Sequence, residues 1–239
     1  MPIRAVFLDV YNTLAGFHPA REEIQAAAAA QHGLILTNEG TARGYHDADV
    51  FMNEQNRTRP VRSMPPDERG RFFAEYERRV LRGSGHEVDL DTARRVWETV
   101  RQQEYRLRLF PDAIPAIEDA RKAGYRVGAI SNMGQRGDSL ARDLGLDGRI
   151  DFVVTSLEAG AEKPHAPIFL MALDRAGVSA PEAVHVGDQL DSDVMGAVAV
   201  GIRPILMDRY GNHPDYRGYP RIASLAELQT LLSRLNRDG

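Results

Sequence analysis

The sequence contains no cysteine. Disulfide staples, thiol nucleophiles and cysteine-ligated zinc are therefore excluded, and the absence fits a cytoplasmic setting. Lysine is almost as scarce: of 30 basic residues only Lys122 and Lys163 are lysines, the rest arginines. A lysine retained in so arginine-rich a chain marks a place where a compact ammonium is wanted, because the two cations differ in hydration, shape and reach. No run is long and apolar enough to span a bilayer, so no membrane partner is expected. The opening MPIRAVFLDV turns acidic too early for a signal peptide. A net charge of −4 gives no general attraction for nucleic acid. There is no internal repeat, no Gly-x-x-x-x-Gly-Lys phosphate loop and no paired-histidine metal motif.

What is present reads as one core with an insert. Ile3–Leu8, Tyr125–Ile130, Phe152–Thr155 and Ala183–Val186 are short apolar runs of strand character, and Arg203–Met207 is a weaker fifth. Helical stretches separate them: Asp112–Ala123, Ser139–Leu144, Pro167–Ala176 and Ser192–Val200, each followed directly by glycine. Alternating strands and helices imply parallel strands joined by crossovers, hence a three-layer α/β, Rossmann-like parallel-sheet core. Residues 18–108 break the rhythm with helical pattern alone: Ala20–Gln31, Glu39–Asn53, Asp67–Leu81 and Asp91–Leu107, with Thr37, Asp67 and Asp89 or Asp91 as candidate caps. The expected organisation is a core of residues 1–17 and 109–239 with a helical insert of 18–108.

Open parallel sheets bind ligands beyond the carboxyl ends of their strands, and polar residues gather there. Asp9 follows the first strand, Ser131-Asn132 the second, and Gly187-Asp188 the fourth. Asp9-Val10-Tyr11-Asn12-Thr13-Leu14, Ser131-Asn132, Lys163-Pro164 and Gly187-Asp188-Gln189-Leu190-Asp191-Ser192-Asp193 together resemble, in order and placement, the four motifs of the haloacid dehalogenase-like hydrolase superfamily. The insert fits that family's helical cap in position and size, not by motif.

The resemblance implies a hydrolase in which Asp9 forms a covalent aspartyl intermediate. A carboxylate can attack at neutral pH without first losing a proton, its ordinary pKa being about 4. Lys163 would neutralise charge on Asp9 and the substrate. Ser131 and Asn132 would donate hydrogen bonds to substrate oxygens, and Thr13 would fix the loop or bond the nucleophile. Asp188 and Asp193, with Asp9, can gather three carboxylates near one point. They would repel one another without a cation, and oxygen ligands suit Mg²⁺. By resemblance Asp9, Asp188 and the Tyr11 backbone carbonyl bind the metal directly, and Asp193 binds it directly or from behind. The expected substrate is a small anionic molecule, foremost a phosphorylated metabolite hydrolysed by a Mg²⁺-dependent phosphatase.

One residue departs from that pattern. Phosphatases of the family usually carry a second aspartate two residues after the nucleophile, where this chain has Tyr11. A phenol, with a pKa near 10, can donate a proton but is a poor base at pH 7. Asp-x-Tyr-x-Thr is similar instead to the metal-independent 2-haloacid dehalogenases. That alternative would require a cationic holder for the substrate carboxylate, for which Arg43, Arg57 and Arg59 are candidates. A weakly active ligand-binding protein on the same scaffold is the third reading. Gly137-Asp138-Ser139-Leu140 spells the start of a serine esterase motif, but it lies mid-chain without the companion Asp-x-x-His, and Ser139 reads as a helix start.

Overall fold

In the computed structural model, which describes residues 1–238, β1 (Ala5–Asp9) is buried at every position. It lies between two parallel neighbours. A strand covered on both faces needs apolar side chains pointing both ways, which accounts for the unbroken Ala-Val-Phe-Leu run. Ala5 and Phe7 join an apolar cluster with Ile130, Ile168 and Phe169. Val6 and Leu8 join another with Ile117, Leu140, Val184 and Ile205.

Among the described residues the main sheet has six parallel strands. Their order is β5 (Phe152–Thr155), β4 (Arg126–Ser131), β1, β6 (Ala183–Gly187), β7 (Arg203–Met207) and β8 (Arg221–Ile222). The apolar runs read from the sequence account for β1 and β4 to β7. The two-residue β8 has no such run, and it is defined by its pairing with Leu206 and Met207. One face carries α5 (Ala113–Lys122), α6 (Gly137–Asp143) and α10 (Leu228–Asp238), through Ile117, Leu140 and Leu232. The other carries α8 (Ala166–Ala176) and α9 (Gly196–Ala199), through Ile168, Phe169 and Ala197, with the short α7 (Ser156–Ala159) following β5. Three layers result.

The chain divides into two compact units, Met1–Gly16 with Leu107–Gly239, and Phe17–Arg106. The divisions fall within a separate two-stranded sheet of β2 (Ala15–His18) and β3 (Arg106–Leu109). The helix expected to reach Leu107 stops at Val100. Its last residues instead alternate as Arg-Leu-Arg-Leu, a period-two pattern suited to a strand once a partner is supplied.

The second unit consists of α1 (Arg21–Ala30), α2 (Asn38–Thr58), α3 (Pro66–Gly83) and α4 (Leu90–Val100). Thr37 Oγ1 accepts the Gly40 N–H at 3.1 Å and Asp89 Oδ1 the Thr92 N–H at 2.7 Å, so both residues cap helices. Asp67 does not. Pro66 opens α3 at a position where a missing N–H costs nothing, and Asp67 lies in the first turn. The α2 helix runs past Asn53 to Thr58. It packs on α3 at Gly44, where a Cβ would collide with the Val80 carbonyl. Inside the unit Tyr45 Oη donates to Gln25 Oε1 at 3.0 Å, and Gln25 Nε2 donates to Glu77 Oε1. Glu77 is fully buried. Burial pushes its carboxyl from 4.5 up to about 8, only partly offset by the Gln25 bond.

Candidate active site

The order of the main sheet turns back at β1, with β4 and β5 on one side and β6 to β8 on the other. Such a reversal opens a crevice beyond the strands' carboxyl ends. Asp9 ends β1, Ser131 ends β4, and Asp188 follows β6. They line one cavity of about 160 Å³ together with Tyr11, Lys163 and Asp193. That space is below the roughly 300–1,000 Å³ of sites that enclose a drug-sized ligand. It suits the anionic end of a substrate and leaves the remainder to groups outside it.

Lys163 is the hinge of the arrangement. Its ammonium, 3 % exposed, donates to Asp9 Oδ1 at 2.5 Å, Asp193 Oδ1 at 2.6 Å and the Ile130 carbonyl at 3.3 Å. All three N–H bonds of an ammonium are thereby used. A planar guanidinium does not match this tripod, which gives the lysine at position 163 of an arginine-rich chain a physical reason. Although burial opposes its charge, Asp193 and Asp9 hold the Lys163 pKa above its ordinary value.

The Asn132 side chain lines the same cavity and also braces the lysine. Its Oδ1 accepts the Lys163 N–H at 2.7 Å, and its Nδ2 donates to the Lys163 carbonyl at 3.1 Å. Asn132 therefore fixes the backbone that carries the lysine. Ser131, 3 % exposed, faces the cavity.

Asp193 is similarly committed. Its Oδ1 also meets His185 Nε2 at 2.9 Å, and its Oδ2 accepts the Gln189 N–H at 3.1 Å. An ionised carboxylate only accepts, so His185 is the donor at Nε2. Burial lowers the His185 pKa below 6.5 and keeps the ring neutral. Burial also works against ionised Asp193, but Lys163 and His185 outweigh it and hold the acid well below the usual carboxylate range. A Cβ on residue 187 would collide with the Asp193 carboxylate, so Gly187 lets this acid approach the strand. Asp193 lies in a π-helical turn, Leu190–Met195, where a continuous α-helix was expected. Such turns interrupt α-helices frequently at functional sites.

Asp9 and Asp188 carry the strain of charge. Burial raises Asp9 to about 6, and Asp193 adds to the rise while Lys163 opposes it. Burial, then Asp9 and Asp193, raise Asp188 well above 3.8. Asp9 Oδ2 is buried and has no hydrogen-bond partner among the described residues. One oxygen each from Asp9, Asp188 and Asp193 lies within 4.8 Å of the others. An all-oxygen set with excess negative charge and an orphaned buried oxygen fits a hard divalent cation.

The loop after β1 is a closed turn. Leu14 N–H and Ala15 N–H donate to the Val10 carbonyl at 2.9 and 2.8 Å, and Asn12 N–H donates to the Ala15 carbonyl at 2.8 Å. Asn12 takes φ = +61°, a conformation asparagine tolerates better than most residues. Its side chain donates to Asp188 Oδ2 at 3.1 Å. This orienting role was not read from the sequence, though an asparagine in a tight turn is a usable signal. Thr13 makes its contact through the backbone. Its hydroxyl is buried without a hydrogen-bond partner among the described residues, and its carbonyl accepts from Arg209 at 2.8 Å. In the helical unit, Arg43 donates to the Gly83 carbonyl at 3.1 Å and Arg59 pairs with Glu68 at 2.5 Å, both at exposed positions. Ser139 lies in α6, outside the Asp9 cavity.

A carboxylate ending β1, a buried lysine and paired acids at the switch point of a three-layer sheet mark a hydrolase site. The chain matches the haloacid dehalogenase-like hydrolase family over residues 3–201 and belongs to that family. It is 31 % identical over 215 residues to a glyceraldehyde 3-phosphate phosphatase of Methanopyrus kandleri, covering 89 % of this chain and 87 % of that one. It is 30 % identical over 218 residues to a ribulose-1,5-bisphosphate 5-phosphatase of Halopiger xanaduensis, with 85 % and 84 % covered. A shorter match, 33 % over 127 residues, covers 53 % of this chain and 52 % of haloacid dehalogenase-like hydrolase domain-containing protein 3 of Danio rerio. Among solved structures, a 2-haloacid dehalogenase from Pseudomonas syringae aligns with a TM-score of 0.58 at 25 % identity, covering 98 % of this chain and 99 % of that one.

Proposed function

We propose that the protein is a Mg²⁺-dependent phosphohydrolase acting on a small phosphorylated metabolite, with the helical unit serving as its cap. The observation that carries this reading is the Asp9 carboxylate. One oxygen is held by Lys163, while the other is buried and unpartnered beside two further acids. The two long relatives named as phosphatases of short phosphorylated sugars support a substrate of that size. A cytoplasmic location accords with a cysteine-free chain and with the absence, among the described residues, of any helix long and apolar enough to cross a membrane.

Asp9 and Asp188 would hold the Mg²⁺ directly, with the Tyr11 carbonyl, while Asp193 acts behind them through Lys163. The bound ion would supply neutralising charge for three clustered carboxylates, two of them buried, and would polarise a phosphoryl oxygen. Ser131 would donate to the oxygens of the transferring group, and Lys163, its three N–H bonds given to protein acceptors, would add positive charge beside them. Asp9 attacks phosphorus, the ester P–O bond breaks, and an aspartyl phosphate forms as the alcohol leaves. Water then displaces phosphate and restores Asp9. Tyr11 lines the cavity but is a weak acid, with a pKa near 10, so the alcohol leaves largely unassisted; where Tyr11 does give up its proton, the phenolate takes one back from the attacking water. Turnover is accordingly slow and favours esters whose alcohols leave without help.

The deciding experiment assays p-nitrophenyl phosphate and 2-chloropropionate in parallel, each with Mg²⁺ and with EDTA. Phosphate release that disappears on chelation is the expected result. Tyr11 and the dehalogenase likeness favour a second reading, in which halide is released equally well in EDTA; that outcome replaces the first.

A further inference from the structure

Arg209, two residues beyond β7, is 196 residues from Thr13 in sequence, and no motif includes it. Its Nη2 donates to the Thr13 carbonyl at 2.8 Å. The same guanidinium is gripped by Asp112 through two bonds, Nη1 to Oδ2 at 2.9 Å and Nη2 to Oδ1 at 3.1 Å. Asp112 is itself fixed, for Oδ2 also accepts from Ser224 Oγ at 2.7 Å and from the Leu225 N–H at 3.0 Å. The guanidinium carbon stands 4.2 Å from the centre of the Phe110 ring. Phe110 N–H donates to the Leu14 carbonyl at 2.9 Å, beside the Thr13 contact. Arg209 and Asp112 side chains are 14 % and 17 % exposed, so their geometry is held by packing as well as by charge.

These contacts matter because of what Thr13 belongs to. The Val10–Ala15 turn carries Tyr11 into the cavity and begins directly after Asp9. On its inner side Asn12 bonds Asp188. Arg209 takes hold of its outer side, on a carbonyl the turn's own hydrogen bonds leave free for it. A two-pronged carboxylate grip leaves the guanidinium little freedom, and such an anchor transmits position well.

We propose that Arg209 is a positioning residue: clamped by Asp112 and stacked on Phe110, it holds the Thr13 carbonyl and so sets the turn that presents Asp9 and Tyr11. It touches neither substrate nor metal site. The inference rests on the reading of Asp9 as nucleophile for its catalytic consequence, while its structural half stands independently.

The test measures amide hydrogen exchange in Arg209→Ala and Arg209→Lys, together with kcat and KM on p-nitrophenyl phosphate. In Arg209→Ala the protected amides of Asn12, Leu14 and Ala15 are expected to exchange at least tenfold faster, with β4 and β6 unchanged. The value of kcat should fall on the order of ten- to a hundredfold, with KM within about twofold, because small misplacements of reacting groups cost this much. Arg209→Lys keeps the charge without the fork and should fall between the two. Unchanged exchange in residues 10–15, or a rise shared equally by the whole chain, overturns the proposal. Should Arg209→Ala not fold, the same comparison on Arg209→Lys decides. If the wild-type protein turns over no ester, the phosphatase reading fails, and the exchange data still judge Arg209.

Discussion

Lys163 and Asp193 meet at 2.6 Å as a buried ion pair in which the base has three acceptors and the acid three donors. Neither charge has water to fall back on, so each depends on its protein partners. Lys163→Met is expected to lower unfolding free energy by about 3–5 kcal/mol, the usual cost of stranding buried charges. Turnover by the folded fraction should fall more than a hundredfold. Urea denaturation and an assay below the melting temperature measure both; a folded variant working at the normal rate would contradict the role given to the ammonium.

Metal linkage is readable without activity. Millimolar Mg²⁺ should raise the melting temperature of the wild-type protein by several degrees, since a ligand that binds only the folded state stabilises it by mass action. Asp188→Asn removes an acid already pushed to hold its proton. It should therefore melt no lower than wild type in EDTA, yet gain almost nothing from Mg²⁺. Differential scanning fluorimetry with and without the ion checks both parts, and an equal Mg²⁺ response in the two proteins would count against Asp188 as a ligand.

Tyr11 bears on leaving-group chemistry. With a phenol in place of a carboxyl, wild-type kcat should depend steeply on the leaving alcohol, with aryl phosphates far ahead of alkyl phosphates. Tyr11→Asp supplies a group that can give and take a proton near neutral pH. Alkyl phosphate hydrolysis is expected to rise at least tenfold in the variant, and steady-state rates across an ester series would show it. No gain on alkyl esters would mean that proton transfer at this position does not limit the reaction.

Glu77 makes a prediction for pH. In the fold its carboxyl holds a proton up to about 8, against an ordinary 4.5. Its stabilising contribution is therefore complete below about 4.5 and drains away as pH rises toward 8, because the unfolded chain ionises first. Glu77→Gln lacks this dependence. Wild-type stability should fall relative to the variant between pH 5 and 8, by at most about 1.4 kcal/mol per pH unit. Urea melts at four pH values would reveal parallel curves if Glu77 were ionised in the folded state.

The sheet core could be read from residues 1–9 and 125–207 because buried parallel strands are apolar on both faces and announce themselves locally. Strand β3 did not, since Arg106–Leu109 becomes a strand only beside Ala15–His18, far away in sequence. Residue types at the site were legible for the same reason as the strands: Asp9, Ser131 and Asp188 follow apolar runs. Their alliances were not. The Asn132 side chain goes to the Lys163 backbone, 31 positions away, and Asp193 is saturated by His185, Gln189 and Lys163. Such commitments arise from the packed geometry, which a string of residue types does not encode locally.

The central place of β1 has a consequence for biosynthesis. Ala5 pairs with Arg126 on one side and Ala183 on the other, so β1, translated before the other strands of this sheet, waits longest for its second neighbour. At about 5–20 residues per second, a newborn chain waits several seconds before even β4 has been translated. Throughout that delay Val6, Phe7 and Leu8 stay sticky, and early truncation products of this protein should be prone to aggregate.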